Sequence, residues 1–104
     1  LIGNTDMHYG NVSLLLSPER PLELAPTYDM VPMRYRPDME GRLFNEPLQP
    51  LPPSPPARAV WLRAARLAEE FWSRLSSHDS VSDALRDVAA QNAAVIADLR
   101  ERVD

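Results

Sequence analysis

The stretch LQPLPPSPP, Leu48 to Pro56, constrains this chain more than any other. Proline fixes φ and lacks an amide hydrogen, so neither a helix nor a central strand can run through it. It reads as a stiff, polyproline-like segment laid over a surface. It closes a connector, residues 34–56, that divides the 104 residues into three regions. Residues 1–33 and 57–104 must therefore each supply regular structure of their own.

Residues 1–33 predict a β-hairpin. NVSLLL, Asn11 to Leu16, is β-branched and apolar and reads as a buried strand. SPERP, Ser17 to Pro21, is a turn, and LELA, Leu22 to Ala25, is the return strand. PTYDMVP ends the hairpin, with Asp29 just past it. Such a hairpin would bring Asn11, at its start, close to Asp29.

Residues 57–104 predict helices. Ser54 and Pro55 read as an N-cap with proline at the first helical position. Trp61, Ala64, Ala68, Phe71, Trp72 and Leu75 then recur at helical spacing. SSHDS interrupts, and Ser80 with Asp83 resembles a capping pair. Val81, Leu85, Val88, Val95, Ile96, Leu99 and Val103 mark one face of a second helix, with Asn92 as a polar partner near its edge. The expected fold class is α+β, mostly helical: one β-hairpin plus C-terminal helices packed antiparallel.

Composition narrows the function. The formal net charge is -4 and no basic stripe is present, which argues against nucleic acid as a partner. Cysteine is absent, excluding disulfides and cysteine zinc sites and favouring the cytoplasm. No apolar run approaches the ~20 residues that span a bilayer, so no membrane role is expected. All 11 cationic residues are arginine, so any lysine chemistry must come from outside this sequence.

The chemistry concentrates in GNTDMHYGN, Gly3 to Asn11, where Asp6, His8 and Asn11 crowd together. Asp6 and Asn11 form D-x-x-x-x-N. This is the spacing of the protein-kinase catalytic loop, in which the Asp accepts a hydroxyl proton and the Asn holds magnesium. Asp29 lies 18 residues after Asn11 and offers a second oxygen ligand. The spacing alone arises by chance in many proteins; the apolar strand, the turn and the returning Asp make it more specific.

Taken together, LIGNTDMHYGNVSLLL and LAPTYDMVPM resemble the HipA-like serine/threonine kinases, toxins of bacterial toxin–antitoxin pairs. That family carries a D-x-H-x-x-N loop and a Tyr-Asp pair where other kinases have Asp-Phe-Gly. The loop is Asp6, His8, Asn11 here, and the pair is Tyr28-Asp29. The resemblance implies Asp6 as catalytic base, and Asn11 and Asp29 as ligands of a magnesium ion bound with ATP. It implies His8 as a brace of the loop, with Asn4 and Thr5 helping to shape it. It also implies a protein Ser/Thr substrate of unknown identity, an antitoxin partner, and a place for residues 57–104 in the helical end of a kinase-like C-lobe. Tyr28 and Met30 read as packing residues.

A kinase also needs a phosphate-covering loop and a lysine, and neither is in this sequence. The opening at Leu1, straight into the polar cluster, reads as a chain cut from a longer protein, inactive by itself. Two other readings stand beside this one. One is a non-catalytic helical interaction module or degenerate kinase remnant, using the Pro-rich segment and the Trp-bearing helix. The other is a metal-dependent hydrolase built from Asp6, His8 and Asp29.

Overall fold

Two helices carry the structure. The computed structural model describes residues 1–104, with α1 at Arg58–Ser76 and α2 at Asp83–Val103. Three short 3-10 turns, Tyr9–Asn11, Met33–Tyr35 and Pro55–Ala57, punctuate the rest.

α1 begins where the prolines stop. Pro55 opens the 3-10 turn that leads into Arg58, and the Ser54 side chain makes no capping hydrogen bond. α2 is capped by Ser82, whose Oγ accepts from the Leu85 amide at 3.3 Å. Ser80 is not the cap; its amide instead donates to His78 Nδ1 at 3.2 Å. Asp83 in the first turn and Arg100 and Arg102 in the last complement the helix dipole.

The helices run antiparallel. Arg58, at the start of α1, donates to the Val103 carbonyl at 3.1 Å, and Arg100 pairs with Glu69 at 2.9 Å. Ala65, Ala68 and Trp72 of α1 pack with Val88, Ala89 and Ile96 of α2. Alanine at these positions lets the backbones approach closely. Ala64 faces outward and Ala65 takes its place in the stripe.

Trp72 is fully buried and anchors the preceding chain to the helices. Its ring meets Tyr35 edge-on at 5.6 Å, and its Nε1 donates to the Leu1 carbonyl at 3.0 Å. Asn92 is also fully buried, not near an edge. Its Oδ1 accepts from the Leu48 amide at 2.8 Å and its Nδ2 donates to the Tyr35 hydroxyl at 3.0 Å. That hydroxyl donates in turn to the Glu46 carbonyl at 2.9 Å. The connector is thus pinned into the core at Tyr35 and Leu48.

The expected β-hairpin is not formed, and the α+β, kinase-like C-lobe class is corrected to an all-helical one with two helices. Residues 11–16 and 22–25 meet in one isolated bridge, Leu14 with Leu24. Two hydrogen bonds flank it, Leu15 N to Glu23 O and Ala25 N to Ser13 O, each 2.8 Å. The reason is burial. A two-stranded ribbon is marginal unless one face is covered. Here Leu16 is 95% exposed and Leu24 is 68% exposed, so the apolar run that reads as a strand covers nothing. No helix is long and apolar enough to cross a membrane.

Candidate functional site

Residues 3–11 hang from the helical core through Leu1 and Tyr35. The Arg34 amide donates to the Gly3 carbonyl at 2.9 Å, tying the loop to the turn that buries Tyr35. Gly3 has φ +73, and a Cβ there would lie 3.3 Å from Arg34 Cβ and 3.4 Å from Leu48 Cδ2. The positive φ favours glycine, and the approach to Arg34 leaves little room for a side chain.

Within the loop, Asn4 Oδ1 accepts from the Asp6 amide at 3.2 Å, an Asx-type turn that turns the chain at Asp6. The Asp6 side chain is exposed. His8 caps the 3-10 turn, its Nδ1 accepting from the Gly10 amide at 3.0 Å. An accepting Nδ1 places the imidazole proton on Nε2. Gly10 permits this contact, since a Cβ there would come within 2.7 Å of His8 Cε1.

Asn11 closes the same turn from the other side. It is 4% exposed, and its Oδ1 accepts from the His8 amide at 3.1 Å. An amide oxygen has two lone pairs, so one remains for another partner.

The 28–30 segment is clasped to this loop at two points. The Tyr28 hydroxyl donates to the Gly10 carbonyl. Asn4 Nδ2 donates to the Met30 sulfur at 3.4 Å. Asp29 sits between these two ties, exposed, with φ 58. Asp6, His8 and Asn11 therefore share one loop, and Asp29 is held alongside it. Neither the Asp6 nor the Asp29 carboxylate has a protein partner among the ion pairs of the chain, whereas six other acidic side chains, on the helices and in the 38–42 turn, do.

Asp29 and Asn11 both offer oxygen donors. Asp29 supplies a hard carboxylate oxygen and Asn11 an amide oxygen, and Mg²⁺ ordinarily takes one or two carboxylates with phosphates and waters completing its shell. No group of three His, Cys, Asp or Glu side chains comes together, and His8 Nδ1 is engaged by Gly10. No residue recognises a nucleotide phosphate through a lysine, since the chain has none.

Sequence reasoning missed the ties. Tyr28 is half exposed and works through its hydroxyl, not by packing. Arg34, assigned only to the connector, lies against Gly3. No periodicity marks either residue, because their roles depend on contacts across 18 residues and 31 residues of chain. An open groove of about 450 Å³ adjoins the loop, lined by Met7, His8, Tyr9 and Val12.

Residues 1–102 match the model of the HipA-like C-terminal domain. The chain is 37% identical over 103 residues to Toxin YjjJ of Escherichia coli (strain K12). That match takes in 99% of this chain and 23% of the relative's length. No solved structure matches the chain.

Proposed function

The chain belongs to the HipA-like C-terminal domain family, and from that premise we propose that it carries the base and metal-ligand part of a phosphoryl-transfer site. In the intact protein this site transfers the ATP γ-phosphate to a protein serine or threonine. The observation that supports the reading is the clasp: Tyr28 to Gly10 and Met30 to Asn4 hold Asp29 beside the Asp6–Asn11 loop.

Asp6 takes the acceptor hydroxyl's proton as that oxygen bonds to the γ-phosphorus and the bond to the β-phosphate oxygen breaks. Asn4, through the Asp6 amide, fixes the backbone from which the base projects. Asn11 and Asp29 would hold Mg²⁺, and His8 keeps Asn11 in place by capping the same turn. Bound magnesium supplies neutralisation of charge on the transferring group. The groups that hold the nucleotide itself belong to polypeptide beyond these residues, so this chain alone is expected to be inactive. A toxin as relative supports an antitoxin as the partner of the intact protein.

Metal binding is testable apart from catalysis. Manganese, a paramagnetic substitute for magnesium, is expected to broaden the Asn11 and Asp29 signals of the full-length protein when ATP is present. Asp29→Asn should weaken this effect, and Asp6→Asn should preserve it. Equal broadening in the parent and Asp29→Asn would remove Asp29 from the metal site.

A second reading, an interaction module, draws on the exposed Tyr9 and Leu16. It predicts that Asp6 and Asn11 can be replaced without loss of function.

A further inference from the structure

Outside the carboxylate loop, Arg34 is the side chain left without its natural partner. Most arginines of the chain donate to a protein oxygen. Arg36, Arg63 and Arg66 have no such bond, but they are exposed and water satisfies them. Arg34 is half-buried, and its Nε is sealed from solvent with no hydrogen-bond partner. A buried donor on a charged group is costly to leave unmade.

The surroundings say what kind of acceptor would suit it. The guanidinium carbon lies 4.7 Å from the centre of the Phe44 ring, a cation–π contact. An open cleft of about 400 Å³ lies here, lined by Arg34 with Asn4, Thr5, Leu48 and Gln49 among others. No acidic side chain lines it, and the Thr5 hydroxyl and Gln49 amide add neutral donors. The Arg34 amide bond to Gly3 fixes this cleft to the loop, and Thr5 immediately precedes Asp6.

We propose that this cleft is an oxyanion-binding subsite, in which the Arg34 fork receives a carboxylate or phosphate-ester group presented by a protein segment. That the segment also carries the phosphoacceptor hydroxyl rests on the phosphoryl-transfer reading; anion binding itself does not. A planar fork held by an aromatic face suits such groups because both can accept two parallel hydrogen bonds.

The test is a titration of the full-length protein without nucleotide or magnesium. Inorganic phosphate and, separately, acetate are added while NMR follows the Thr5 and Gln49 amides, with Arg34 Nε–Hε in the parent. Saturable shifts are expected with at least one anion. Arg34→Gln should weaken the affinity about tenfold or more, the loss of a charge-assisted hydrogen bond. Asp29→Asn should leave it unchanged. If Arg34→Gln fails to fold, Arg34→Lys keeps the charge without the fork, and the affinity should still fall several-fold. Saturation by phosphate alone identifies a phosphate ester as the ligand, and saturation by acetate identifies a carboxylate. No saturation up to about 0.1 M of either anion, a range that would detect even very weak sites, overturns the proposal. Equal affinity in the arginine variants overturns it too. Absence of phosphate transfer alongside intact anion binding would sink the catalytic reading and leave the subsite standing.

Discussion

Asp29 holds a backbone conformation that only a few residue types tolerate. Its φ of 58 lies in the left-handed region, which costs an L-residue roughly 1–2 kcal/mol. Aspartate is among the side chains that tolerate it best, and glycine tolerates it without cost. Strain of this kind tends to persist where a side chain must be aimed. Asp29→Gly is therefore expected to leave thermal stability unchanged or raise it by up to about 1 kcal/mol, and to abolish phosphate transfer by the full-length protein. Full transfer in Asp29→Gly would mean that the carboxylate is not a ligand. Asp38 shows how an acid behaves when it is purely structural. The Arg42 amide donates to its Oδ1 at 2.9 Å, and this bond, then those from the Glu40 amide and the Arg42 side chain, hold its carboxyl below the usual range. The folded form thus binds a proton less readily than the unfolded one. The turn at 38–42 keeps its full ionic contribution above the ordinary aspartate pKa, about 3.9, and loses it as pH falls through the lowered folded value. Protection of the Glu40 and Arg42 amides, with the intrinsic pH dependence of exchange divided out, should fall over that acid window and stay level in Asp38→Asn.

At the scale of elements, the molecule depends on one buried amide. Asn92 satisfies the Leu48 amide and the Tyr35 hydroxyl together, joining α2 to the connector and to the turn under the candidate site. Asn92→Leu keeps apolar volume but strands the Leu48 amide and leaves Tyr35 with fewer partners. A loss of roughly 1–3 kcal/mol for each unsatisfied group is expected, read as a lower urea midpoint with unchanged helical content. A midpoint equal to the parent's would show the network to be dispensable. The helices themselves were legible in the sequence. Trp72, Val88, Ile96 and Leu99 fall on the faces that the 3.6-residue period assigns them, because that period is a local property. The phase of α1 was less legible: Ala64 and Ala65 differ by one position and not at all in chemistry. The hairpin is not formed because NVSLLL has strand composition only, whereas a strand also needs a face to cover. Asn92 was placed on the right face, but nothing local reveals a hub whose partners lie 44 and 57 residues away. In the candidate site, the order of Asp6, His8, Asn11 and Asp29 was readable; the Tyr28 and Met30 ties and the unpaired Arg34 were not.

The whole molecule is thinly cored. Its radius of gyration is 15.9 Å, against about 13 Å for a compact chain of this length. Its extents are 49 × 35 × 22 Å, and only 11 of 104 residues are buried. Leu14, Leu16 and Leu24 lie on the exposed ribbon next to the carboxylate loop. The helical pair therefore serves as a base, and the candidate site residues lie outside its core, in segments secured by a few hydrogen bonds. The chain spans 23% of the length of its Escherichia coli relative. In the proposed function, Asp6 is the base of a phosphoryl-transfer site. The most direct measurement is transfer of labelled phosphate from ATP, with magnesium, by the full-length protein and its Asp6→Asn variant. A fall of about 10²–10⁴-fold or more in the variant, with its fold intact, is the predicted result. Equal rates in the two proteins, or no transfer by a correctly folded parent, would contradict it.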